Sequence, residues 1–122
     1  MNHSPHADSL IPIGTRVKFA KTIGESDIYL FAGITGDFSP NHVNAEYMKG
    51  TPYGSIIAHG VLVVGLMSTC STRVLDHATS PRPAVSYGYD RIRFVKPVRV
   101  GDTVTVTYEI VAPDGARATT EQ

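Results

Sequence analysis

At 122 residues, 42% hydrophobic and 18% charged, the chain has the size and composition of one soluble globular domain that buries its own core. Eleven basic residues balance eleven acidic ones, so no net field calls for nucleic acid or an anionic membrane as partner. A single cysteine, Cys70, excludes an internal disulfide framework and a cysteine-rich zinc site, and suits a reducing, cytoplasmic setting.

Residues 1–12 read as a flexible tail, polar over Met1–Ser9, with no signal-peptide pattern. His3 and His6 fit a frayed end better than a metal site. Thr15 to Ile23 alternates, Val17 and Phe19 against Arg16 and Lys18, which predicts a half-buried strand. Gly24 or Ser26 offers a helix start, with Glu25 and Asp27 in the first turn and Ile28, Phe31 and Ala32 as the apolar stripe. That helix stops at Gly33–Gly36. Asn44 is placed to cap a second short helix carrying Ala45, Tyr47 and Met48. Gly50 to Ser55 is a loop.

Ile56 to about Leu75 is apolar on nearly every side and too long for one strand, which predicts a helix buried on most faces. Its longest apolar stretch, Ile56 to Met67, is too short to span a bilayer. Cys70 lies inside it, as a buried inert thiol rather than a nucleophile. Ser80 to Pro83 is a loop. Val85 to Phe94 alternates and predicts a long strand ended by Pro97, with Tyr87 and Tyr89 as sheet packing. Gly101-Asp102 makes a turn, and Thr103 to Val111 is the clearest strand, with Val104, Val106, Tyr108 and Ile110 on one face. Pro113-Asp114-Gly115 is a hairpin turn, and Arg117 to Gln122 starts a returning strand. The plan is α+β: one long central helix against one curved antiparallel sheet, in a single domain over residues 1–122.

Thr35-Gly-Asp-Phe-Ser-Pro-Asn-His42 places a carboxylate and an imidazole five residues apart, on a stretch punctuated by Gly36 and Pro40 that reads as loop. Two such groups sharing one water form a general acid/base pair. Asp and His also fill ordinary turns, so the spacing alone leaves both readings open.

Phe31-Ala-Gly-Ile-Thr-Gly-Asp-Phe-Ser-Pro-Asn-His42 resembles the signature of the MaoC-like dehydratases, the (R)-specific enoyl-CoA hydratases. Ile57-Ala-His-Gly-Val-Leu62 is similar to the start of that family's central helix, and Arg93-Phe-Val-Lys-Pro-Val98 with Gly101-Asp-Thr-Val104 to its late-strand pattern. The three lie in the family's order across most of Thr15 to Val111. The resemblance implies a hot-dog fold, usually a homodimer, and the reversible hydration of trans-2-enoyl thioesters carried on CoA or on acyl carrier protein. It implies Asp37 and His42 as the catalytic pair, the Gly60 N–H as the oxyanion donor, and Ser68 near the site. His59 is a third candidate, in contact with substrate or packed at the helix start. No metal or other cofactor is expected.

The chain departs from the family pattern at Ser39, where many members have Asn. Members also carry a further strand or more after Pro113–Gly115, so the last strand is expected to be missing here or supplied by a partner chain. Arg91, Arg93, Lys96 and Arg99 are candidates for CoA phosphates, although an exposed strand face explains the first two equally well. Two other functions stay open: thioester hydrolysis, and a non-catalytic acyl-CoA-binding or accessory subunit.

Overall fold

The computed structural model describes residues 11–78, 85–112 and 115–121. The N-terminal tail, the Ser80–Pro83 loop and the first two residues of the Pro113–Gly115 turn lie outside the described residues. Three antiparallel strands form the sheet: β1 (Arg16–Thr22), β2 (Thr103–Ala112) and β3 (Gly115–Glu121), in that spatial order. β1 and β2 pair in unbroken register from Arg16 opposite Glu109 to Thr22 opposite Thr103, and the first pair also forms an ion pair of 2.6 Å. The period-2 pattern predicted both strands, because one face of β2 is buried and one face of β1 half-buried, and a one-residue slip would expose them. Val104, Val106 and Ile110 are buried on β2 as expected.

Helix α1 (Glu25–Thr35) starts at Gly24, whose N–H donates to the Asp27 carboxylate at 2.8 Å. Lys21 lies 3.3 Å from the same carboxylate. The Gly24 N–H bond, aided by Lys21, holds the Asp27 carboxyl below its usual range. Ile28 and Ala32 are the buried face of α1, and Gly36, left-handed at φ 82°, ends it. Two short helices follow, α2 (Pro40–Val43) and α3 (Ala45–Lys49). The Asn44 side chain accepts the Tyr47 N–H at 3.0 Å and caps α3 as its residue type predicts. The central helix, α4 (Gly60–Arg73), runs into a 3₁₀ turn at Val74–His77. It packs on β1 and β2, where the Cys70 thiol approaches the Val106 and Val17 carbonyls. Burial pushes that thiol's pKa up, which makes it inert. Ile23, Ile28, Met48, Ile56, Leu62, Val63, Val98 and Val104 belong to one contiguous core. No helix of the described residues is long and apolar enough to cross a membrane.

Four expectations are corrected. The central helix begins at Gly60, not Ile56, because the backbone before it bonds sideways: the Ile57 N–H to Asn41 O and the Ala58 N–H to Val98 O. It is also buried on one side only, with Val61, Gly65 and Ser68 exposed along the other. Pro40–Val43 is a helical turn rather than loop, because Pro40 at its first position supplies the fixed φ and lacks only an N–H that needs no partner there. Val85 to Phe94 is not a strand. Its alternation is real, but no strand of the described residues pairs with it, and Arg91 at φ 58° breaks the extended path. Val85 is 84% exposed.

Candidate active site

The Thr35–His42 stretch is tied down residue by residue. The Thr35 hydroxyl donates to Phe31 O at 2.9 Å and accepts the Asp37 N–H at 3.2 Å. The Asp37 Oδ1 accepts the Ser39 N–H at 3.2 Å, an Asx-type turn that leads into α2. Ser39 therefore holds the loop through its backbone, whatever its side chain. The His42 imidazole then reaches the segment before α4, where Nδ1 lies 2.7 Å from Ile57 O. A carbonyl oxygen only accepts, so Nδ1 carries a proton, and in the neutral tautomer that this bond selects Nε2 is bare. That bare nitrogen is 3.9 Å from the Asp37 Oδ2. This is too long for a direct hydrogen bond, and one water at about 2.8 Å from each atom spans it.

Asp37 and His42 are thus brought together, the carboxylate 51% exposed and the imidazole 12% exposed. His59 joins them from below. Its ring stacks on His42 with centroids 3.7 Å apart, and its Nε2 lies 3.0 Å from Asp37 O. Ligand atoms of Asp37, His42 and His59 fall within 4.8 Å of one another. They fit a hydrogen-bonded cluster better than a cation: near-parallel stacked rings aim their lone pairs side by side, whereas a metal needs them to converge.

Gly60 opens α4, where the first N–H groups have no intrahelical acceptor and the helix dipole is positive. A Cβ on Gly60 would come within 2.9 Å of the Phe94 ring, so the close approach of that ring requires glycine. His42 and Gly60 share the wall of a cavity of about 690 Å³ with Ile57, Val63, Val98 and Val104. Arg93 and Lys96 line it too, while the Arg99 guanidinium donates to Tyr53 O at 3.1 Å. The lining thus combines apolar side chains with two cationic ones.

Ser68 is not brought to this site: it lies on the exposed side of α4 and does not line the cavity. Reading the sequence missed Ile57, whose carbonyl fixes the His42 tautomer, and a backbone atom carries no residue-type signal. Phe31 was legible as core, but nothing indicated that its ring would pack on His59, with centroids 4.8 Å apart.

The chain matches the MaoC like domain over residues 8–122. It is 44% identical over 98 residues to an (R)-specific enoyl-CoA hydratase of Rhodospirillum rubrum, covering 80% of this chain and 64% of that relative's length. It is 36% identical to a 3-hydroxybutyryl-CoA dehydratase of Methylorubrum extorquens, covering 88% of this chain and 67% of the relative. Among solved structures, the unliganded R-hydratase PhaJ1 of Pseudomonas aeruginosa superposes with a TM-score of 0.71 at 31% identity, over 88% of this chain and 65% of that one. The chain thus spans a little under two thirds of the R. rubrum relative and of the P. aeruginosa structure. A helix laid on an antiparallel sheet, the superposition and the domain match agree: the fold is a hot-dog, and the chain belongs to the MaoC-like family.

Proposed function

We propose that this protein catalyses the reversible addition of water to trans-2-enoyl thioesters, giving (R)-3-hydroxyacyl thioesters. The observation that carries this reading is the 3.9 Å gap between the bare His42 Nε2 and the Asp37 carboxylate. A water held there loses one proton to the pair as its oxygen bonds to C3 of the substrate. The double-bond electrons move onto the thioester oxygen, and the pair returns a proton to C2 on the same face. One water is consumed, and both its hydrogens end in the product. The Gly60 N–H at the start of α4 stabilises the enolate oxygen, a contribution of about 3 kcal/mol, or roughly a hundredfold in rate. The apolar wall of Ile57, Val63 and Val104 suits an acyl chain, and Arg93 and Lys96 suit an anionic carrier such as CoA. The names of the R. rubrum and P. aeruginosa relatives support the R stereochemistry. Exposed apolar residues such as Val85, Tyr87 and Phe94 support self-association as a homodimer.

The test is a panel of trans-2-enoyl-CoAs, followed for loss of the conjugated thioester absorbance and for free-thiol release. Absorbance loss without thiol is the expected result. Thiol release would make the protein a thioesterase. Neither signal from folded protein would leave an acyl-CoA-binding or accessory role.

A further inference from the structure

We infer that His59 is a positioning residue that sets both members of the water-activating pair, an inference that rests on the reading just proposed. His59 is 2% exposed, and burying an imidazole is costly unless its polar atoms are used. It occupies the position that caps α4, yet its side chain makes no capping bond. Ser, Thr, Asp or Asn there would stabilise the helix; histidine forgoes that contribution.

What the side chain does instead is to hold the loop. The Asp37 carbonyl only accepts, so the His59 Nε2 carries a proton and donates it at 3.0 Å. This fixes the main chain from which the Asp37 carboxylate projects. The His59 ring also lies on His42 at an interplanar angle of 22°, with Phe31 packed on it at 58°. The stack sets the plane of the His42 ring, and the bond from its Nδ1 to Ile57 O sets its rotation. Together they direct Nε2 at the Asp37 carboxylate. One buried side chain thereby determines the span that the water must fill.

The arrangement has a recorded cost. With Nε2 protonated, the His59 Nδ1 is an acceptor, and it is buried without a partner among the described residues. An unsatisfied buried acceptor lowers stability, so an apolar ring of the same shape removes that cost as it removes the Asp37 bond, and the two effects oppose each other. Catalysis and stability therefore separate at this position, which a merely structural histidine would not do.

The full chain is assayed with a trans-2-enoyl-CoA as wild type, His59→Phe and His59→Gln. Phenylalanine keeps the stack and removes the donor. Glutamine restores an N–H at the distance of Nε2. The expected result for His59→Phe is a melting temperature within a few degrees of wild type, kcat lower by roughly ten- to a hundredfold, and KM within about threefold, the loss that misplacing reacting groups produces. His59→Gln recovers most of kcat. Wild-type kcat in His59→Phe overturns the inference, as does an equal loss of kcat and melting temperature in both variants. Imidazole ¹⁵N NMR of the wild-type chain gives a readout independent of turnover: His59 is expected as the Nε2–H tautomer, and the Nδ1–H tautomer overturns the inference. If no enoyl thioester is hydrated but this tautomer is found and His59→Phe shifts the Asp37 amide resonance, the proposed function fails and the positioning role stands. If wild type turns over and His59→Phe matches it, the function stands and the positioning role fails.

Discussion

Two stretches of the molecule end up in opposite conditions. Between Thr35 and Gly60 the chain is stitched to itself: Asp37 to His59, Asn41 and His42 to Ile57, Ala58 to Val98. Between Val85 and Val95 a cleaner alternation of apolar and polar residues leads to no strand, and every side chain is exposed. Side-chain period records which faces a segment would present. Whether the segment becomes a strand depends on a partner edge, which no local pattern encodes. The first stretch leans on a distant edge only at its end, where Ala58 bonds Val98; before that its own polar side chains and backbone groups satisfy one another.

That contrast is sharpened first at the chemistry. Asp37→Asn and His42→Ala are each expected to lower the hydration rate by about a hundred- to ten-thousandfold. Circular dichroism should stay close to wild type in both, and so should melting in Asp37→Asn, whose carboxylate is half exposed. His42→Ala, which empties a mostly buried ring bonded to Ile57 O and stacked on His59, should melt lower while still folding. Near-wild-type rates in both variants would break the site assignment.

The second comparison sets the core against the unpaired run. Ile28→Ala empties a fully buried position and should cost about 2–5 kcal/mol in denaturant unfolding. Tyr87→Ala, at a fully exposed position, should stay within about 0.5 kcal/mol. A large loss at Tyr87 would mean that Val85–Val95 is covered in solution, and sedimentation at the same concentration would show whether a second copy covers it.

The smallest effect lies at Asp27. The Gly24 N–H bond to its carboxylate lowers its folded-state pKa below the usual 3.8. It therefore adds stability that is present above the unfolded value and lost as pH falls through the folded one. In urea titrations between pH 6 and 2, roughly the range in which carboxylates protonate, Asp27→Asn should flatten part of the acid loss. An unchanged acid limb would assign that loss to other groups.

Much of this was legible in the residues. β1, β2 and α1 follow from period and caps, and Asn44 was readable as a cap from its type. Asp37 and His42 were legible as a pair through the resemblance to the MaoC-like signature, since their spacing alone left an ordinary turn open. Other features were hidden because they reside in backbone atoms or in pairing. The Ile57 carbonyl that fixes a tautomer has no side-chain signature. Ile56–His59 looks continuous with the apolar helix after it, and only the destinations of its N–H groups separate the two. The exposed side of α4 was misread because a run of apolar letters does not say how much of a helix the rest of the chain will cover.

The pairing of Arg16 with Glu109 has a kinetic consequence. These residues stand 93 apart, and every group of the candidate site lies on the chain between them. Closing so long a loop costs on the order of 4 kcal/mol of chain entropy before the sheet returns anything. Contacts of such separation also slow folding relative to local ones. During synthesis Asp37, His42 and His59 are made long before β2, whose Val104 and Val106 complete the core beneath α4. The site is made first, but the platform under it is finished only when β2 follows.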